Sequence, residues 1–242
     1  MSLREKAYQH IHQRILTGEL RAGDVISEAA LASEIGISRT PVREAIKHLQ
    51  AAGLVDQVPR YGTIVRQPEY RDIIELYQLR AALETFALVA SENNISDSAY
   101  SSGLAYCRQI LDIAREMKHA GAVAMDAKQL NRFLTADMSF HMVFLNSAGN
   151  ERVVKLVTDA RAQIRSCGAG RPDHSLQTII RAYRYHRRIL HSARRGNVTQ
   201  AQFWMKEHLR DSLQATLTHF LQLDLGRGSD AFFSLFQQPQ SR

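Results

Sequence analysis

Cysteine is nearly absent from this chain of 242 residues, where Cys107 and Cys167 are the only two. Both stand isolated, without metal-ligand or redox spacing, so the sequence offers no disulfide framework and no cysteine-based zinc site. A single bridge between them stays open; a reduced cytoplasmic chain is the simpler expectation. Long apolar runs are also missing. No uncharged stretch approaches the length of a membrane span, and Met1-Ser2-Leu3-Arg4-Glu5-Lys6 lacks an apolar signal core, so neither insertion nor export is expected. There is no phosphate loop, no Ser/His/Asp or Cys/His order, no repeat and no low-complexity segment. The positive charge is not concentrated at one end. The formal net charge is +7, yet residues 1–66 hold nine Lys/Arg against seven Asp/Glu, leaving +2 there. Charge alone does not argue for nucleic acid; the placement of arginines does.

That placement begins after residue 26. Ser27-Glu28-Ala29-Ala30-Leu31-Ala32-Ser33-Glu34-Ile35 reads as a short helix capped by Ser27, with Ala30, Leu31 and Ile35 on one face. Gly36 suits the positive φ that ends a helix, and Ile37 reads as a buried plug. Ser38 or Thr40 can cap the next helix, and Pro41 fits its first turn, where N–H groups lack acceptors anyway. Val42, Ala45, Ile46 and Leu49 make a buried stripe, which leaves Arg39 and Arg43, four apart, on an outward face. A major-groove reader places polar groups in this way: Arg pairs with guanine O6 and N7, and Ser or Thr binds phosphate. Two solvated arginines on an ordinary helix would look the same.

The following residues favour the DNA reading. Leu54-Val55-Asp56-Gln57-Val58 alternates like a strand, Pro59-Arg60-Tyr61-Gly62 is turn chemistry, and Thr63-Ile64-Val65 is a second β-branched run. This is a two-stranded wing with Arg60 at its tip, able to reach the minor groove or a phosphate. Residues 4–66 resemble the winged helix-turn-helix of the GntR superfamily of bacterial transcription regulators. The residues that carry the resemblance are Ile11, Ile15 and Gly18, Leu20-Arg21-Ala22-Gly23-Asp24, Leu31-Ala32, the run from Ile35 to Ala45, Gly53-Leu54-Val55 and Gly62. The resemblance implies DNA contacts from Ser38, Arg39, Thr40, Arg43 and the wing around Gly62. Ala29 lies in the region where some members carry a DNA-contacting arginine.

Gln67-Pro68-Glu69-Tyr70 reads as a hinge. Beyond it the pattern is helical throughout, with helices expected near 70–93, 97–119, 126–147, 150–166, 175–195 and 198–223. The breaks fall at Asn93-Asn94, Gly121, Gly149, the Gly168–Pro172 loop and Gly196. The fold class expected is mainly α, a winged helix-turn-helix followed by an antiparallel helical bundle. The domain boundaries expected are 1–67 for the DNA-binding domain, 68–70 for the linker, 71–225 for the helical domain and 226–242 for a tail. Phe232, Phe233, Leu235 and Phe236 make that tail apolar enough to dock on a partner or to pack on its own domain.

The helical region contains one constellation of interest. Asp137 and His141 are four apart, so both point the same way from a helix, while Phe140 and Phe144 supply an apolar side. His186 and His208 lie mid-helix in two further segments. Three antiparallel helices can converge these side chains in a bundle, and imidazole with carboxylate suits Zn, Ni, Mn or Fe rather than Ca or Mg. The chain has ten histidines, so coincidence is the competing account. His119, His174 and His219 lie in loops or at helix ends. His191, five residues after His186, lies off that residue's face.

Residues 71–223 also resemble the FCD ligand-binding domain of the FadR-type branch. The carrying residues are Leu79-Arg80, Leu83-Glu84, Asp137, Phe140-His141, Ala148-Gly149-Asn150, His186, Ile189-Leu190 and His208-Leu209. The resemblance implies a metal held by Asp137, His141, His186 and His208, with open positions for a carboxylate effector. His191 departs from the family, which more often has Ala there. Arg80 could pair with a second anionic group of the effector or with Glu84 at i+4; Asn150 could reach the pocket or cap a helix. The function expected is that of an effector-controlled, non-enzymatic regulator, acting as a cytoplasmic homodimer on a palindromic double-stranded operator. The alternative is a metal-dependent hydrolase fused to a DNA-binding domain, for which no general base is evident.

Overall fold

The structure is a computed structural model that describes residues 1–91, 95–166 and 175–235. The N-terminal unit contains α1 (Leu3–Thr17), β1 (Val25–Ile26), α2 (Glu28–Ile35), α3 (Arg39–Ala51), β2 (Val55–Val58) and β3 (Gly62–Val65). Ser2 caps α1 by accepting from the Glu5 N–H, and Ser27 caps α2 by accepting from Ala30. Gly36 ends α2 at φ 73, a left-handed conformation that glycine adopts without a Cβ penalty. Ala7, Ile11 and Ile15 of α1, Val42, Ala45, Ile46 and Leu49 of α3, and Val55 and Val65 of the wing share one core.

The sheet has three strands in the order β1-β3-β2, all antiparallel. The β2–β3 hairpin is the expected wing. β1 was not legible in the sequence, because two residues carry no periodicity; Val25 and Ile26 join by pairing with Ile64 and Thr63. Two expectations for α2 and the turn after it need correction. Ala30 is exposed, and Ala32 takes its place beside Leu31 in the core. Ile37 is half-buried against that core rather than a fully buried plug. A helix of two turns turns only a narrow face inward, and a shift of one residue rotates that face by about 100°.

The helical unit contains α4 (Tyr70–Ala90), α5 (Asp97–Ala120), α6 (Ala127–Ser147), α7 (Glu151–Ser166), α8 (Leu176–Arg194) and α9 (Val198–Leu235). α5 packs against α6 and α8, and α9 packs against α4 and α8. Reciprocal capping boxes start two helices, Glu69 with Asp72 on α4 and Asp126 with Gln129 on α6. Asn150 Oδ1 accepts from the Arg152 and Val153 N–H groups at the start of α7. The expected helix positions hold closely, with one exception. α9 does not end near 223 but continues to Leu235, across the expected boundary between residues 225 and 226. Gly226 and Gly228 lower helix propensity without barring the helix. Cys107 is buried. Asn93-Asn94, Cys167, the Gly168–Pro172 loop and Phe236 lie outside the described residues.

α7 joins the two units. Its Ala162 belongs to the core of the N-terminal unit. Gln163 donates to the Ala52 carbonyl at 2.7 Å, and Arg165 donates to the Leu16 carbonyl at 2.9 Å. Tyr8 donates to Asp159 at 3.0 Å, and Lys155 also holds that carboxylate.

Candidate nucleic-acid interface and metal centre

Ser38 stands at the N-cap of α3, yet its side chain makes no capping bond. Its hydroxyl and that of Thr40 are both exposed at the helix N-terminus, where the backbone dipole favours anions. Arg39 and Arg43 project outward, with side chains 63% and 57% exposed. Both contact Glu28 at the start of α2.

The wing tip is strained. Arg60 has φ 71, the only positive φ of a non-glycine residue among those described, and Gly62 follows at φ 88. A left-handed conformation costs an L side chain about 1–2 kcal/mol. Arg60→Gly is therefore expected to raise stability by up to about 1 kcal/mol while weakening DNA binding. Parallel melting and operator titrations check this; a variant that binds DNA as well as the parent would remove Arg60 from the interface.

Four elements build the second site. α6 supplies Asp137 and His141, α8 supplies His186, α9 supplies His208, and α4 supplies Arg80 and Glu84. The three imidazoles are buried. One ligand atom from each of Asp137, His141, His186 and His208 lies within 4.8 Å of all the others. His208 Nε2 lies 3.3 Å from His141 Nε2 and 3.2 Å from His186 Nε2. Asp137 Oδ1 lies 3.4 Å from His186 Nε2 and 3.9 Å from the other two. Donors about 2.1 Å from a shared cation are spaced roughly 3.0–3.4 Å side by side and up to about 4.2 Å across it, so the separations of 3.2–3.9 Å suit imidazole and carboxylate ligands of a transition metal.

Protonation favours the same chemistry. Burial pushes His186 down to about 4 and His208 well below its usual value, so both imidazoles are neutral, the form that binds metals. Burial pushes the Asp137 carboxyl up, but Arg161 and the histidines outweigh it and hold it well below the carboxylate range. Burial likewise opposes ionisation of Glu84, and His141 and Arg80 overcome it. The ionised Glu84 only accepts, so His141 donates its Nδ1–H to it and points Nε2 into the cluster.

A cavity of about 100 Å³ adjoins the cluster, lined by Arg80, Asp137, Arg161, Arg165, Thr178 and His208 among others. It has room for several waters or a small acid. Arg80 donates to Glu84 at 2.9 Å, the ion pair weighed for it, and it also lines the cavity. Asn150 is absent from the cavity wall and caps α7 instead, so its expected effector contact has no geometric support. His191 is exposed at the surface. Arg161, paired with Asp137, and Arg165 were missed in the sequence. The adjoining Ala160, Ala162 and Ile164 were the one local signal that this helix is buried around them.

Comparison with known proteins agrees with this architecture. Residues 3–65 match the model of the gntR family of bacterial regulatory proteins, and residues 75–211 match the FCD domain. An uncharacterized HTH-type transcriptional regulator of Bacillus subtilis, YdhC, is 26% identical over 89% of this chain and 91% of its own length. A probable D-xylose utilization operon transcriptional repressor of Paenarthrobacter nicotinovorans is 27% identical over 85% of each chain. The solved structure of E. coli McbR/YncC has the same fold, with a TM-score of 0.75 at 14% identity over 92% of this chain and 99% of that one. The chain belongs to the GntR family of transcription regulators, with an FCD domain behind its DNA-binding domain. These families and relatives are regulators rather than enzymes, which sets the hydrolase alternative aside. Among the described residues, no helix is long and apolar enough to cross a membrane.

Proposed function

We propose that this regulator binds a palindromic double-stranded operator as a homodimer, and that a small carboxylate effector controls the binding from a metal-containing pocket in the FCD domain. The observation that carries the reading is the convergence of four ligand atoms beside an arginine-lined cavity. Asp137, His141, His186 and His208 would hold Zn, Ni, Mn or Fe, and such an ion supplies open coordination positions for a carboxylate. Arg80 would take a second anionic group. Ser38, Arg39, Thr40, Arg43, Arg60 and Gly62 would meet DNA. The division at 1–67, 68–70 and 71–225 belongs to this reading, as does a cytoplasmic site of action. An exposed apolar stripe on α4, Leu79, Phe86 and Val89, supports a dimer face. The relative named for a D-xylose operon supports control by a small metabolite.

The route from pocket to DNA is short. Arg161 and Arg165 of α7 line the cavity, while Gln163 and Arg165 hold carbonyls of the N-terminal unit. An effector that binds two placements of α7 with different affinity shifts operator binding. The test is retardation of operator DNA, selected from random sequence, by the full chain. Arg43→Ala is expected to weaken operator binding by about 1–3 kcal/mol. Unchanged binding at matched salt would remove Arg43 from base readout.

A further inference from the structure

Glu28 is the first residue of α2, and its side chain crosses the helix-turn-helix to α3. Arg43 donates to it from Nε at 3.2 Å and from Nη2 at 2.9 Å, and Arg39 Nη2 lies 3.4 Å away. The exposures differ in an informative way. The Glu28 side chain is 19% exposed, against 63% and 57% for Arg39 and Arg43. The carboxylate therefore lies beneath two guanidinium groups that face solvent. The Arg43 contact uses Nε–H and one Nη2–H, which leaves three N–H donors, and the terminal edge formed by one Nη1–H and one Nη2–H points away from Glu28. That edge can pair bidentately with guanine O6 and N7.

We propose that Glu28 is a specificity-determining positioning residue that orients the Arg43 fork, and with it Arg39, for base readout. The inference rests on the reading of Arg39 and Arg43 as DNA contacts. Glu28 touches no base in this account. It acts in two ways. It removes rotamer freedom that Arg43 would otherwise lose on binding. It also places a negative charge near the phosphates, which weakens binding to every sequence alike. The first effect favours discrimination; the second lowers affinity for all sequences without changing their ratio.

The experiment uses the full-length protein, its selected operator and scrambled DNA of equal length. Binding of wild type, Glu28→Gln, Glu28→Asp and Arg43→Ala is measured at matched salt, with melting temperatures as fold controls. Glu28→Gln keeps the shape and removes the charge. It is expected to tighten binding to scrambled DNA and to lower the operator-to-scrambled affinity ratio about fivefold or more. The lost preference should fall at the base pair that Arg43→Ala also relaxes. A merely structural role would lower affinity uniformly across sequences, and that outcome overturns the inference. An unchanged ratio in Glu28→Gln, with operator binding lost in Arg43→Ala, overturns it too and leaves the DNA reading standing. Unchanged binding in Arg43→Ala overturns both. If Glu28→Gln does not fold, Glu28→Asp decides, because its shorter arm cannot hold both arginines and the ratio must again fall.

Discussion

Glu84→Ala is expected to cost about 3–5 kcal/mol of folding stability, because it removes the shared anion from a buried charge cluster. The Glu84 side chain is 1% exposed and holds two groups at once, the Arg80 guanidinium and the His141 ring. Without it, a guanidinium 7% exposed loses its nearest carboxylate. Urea unfolding measures the loss, and a change under about 1 kcal/mol would mean that water or another carboxylate replaces Glu84. The pH dependence follows in sign. The folded-state carboxyl sits below its ordinary 4.5, so its contribution is full above that value and declines as pH falls beneath it. Glu84→Ala should therefore be less stable at neutral pH and show a flatter acid limb. The same variant should bind metal about 10- to 100-fold more weakly, since Glu84 orients His141.

The second large effect concerns the ligands themselves. The double variant His141→Ala/His186→Ala leaves only Asp137 and His208 of the four-member set. Two donors do not hold a transition metal against competing water and buffer, so elemental analysis should fall from about one ion per chain to none. Equal metal content in parent and variant would place any ion elsewhere. Operator binding itself should survive in the variant, because the recognition helix packs in a core made by α1, α2, α3 and the wing, to which the helical unit adds only Ala162 among the described residues.

How much of this was readable beforehand depended on how local the determinants were. α3 was legible because Gly36, Ser38 and the stripe from Val42 to Leu49 are contiguous signals with one interpretation. The candidate His and Asp ligands were legible as helical positions, and their convergence needed the family resemblance, since spacing within one helix says nothing about which face meets which. β1 has no local signal at all; the β3 backbone creates it. The end of α9 was misjudged because glycine is a weak helix breaker. The arginines of α7 were invisible for a deeper reason. A guanidinium is buried only when distant groups satisfy it: here the Asp137 carboxylate for Arg161, and for Arg165 the Leu16 and Leu134 carbonyls. Burial pushes Arg165 down to about 10, still charged at neutral pH. Nothing near either arginine in sequence announces those partners.

Those same partners make α7 the element on which the account depends, since its side chains reach both the cavity and the DNA-binding unit. The measurement that tests the central claim most directly is operator affinity of the full chain before and after chelation. Each form is titrated with a panel of mono-, di- and tricarboxylates. The account predicts that at least one acid shifts operator affinity of the metal-loaded protein about 5- to 150-fold, the usual range of coupling, and that chelation abolishes the shift. An identical response from loaded and stripped protein, or none from either, would contradict it.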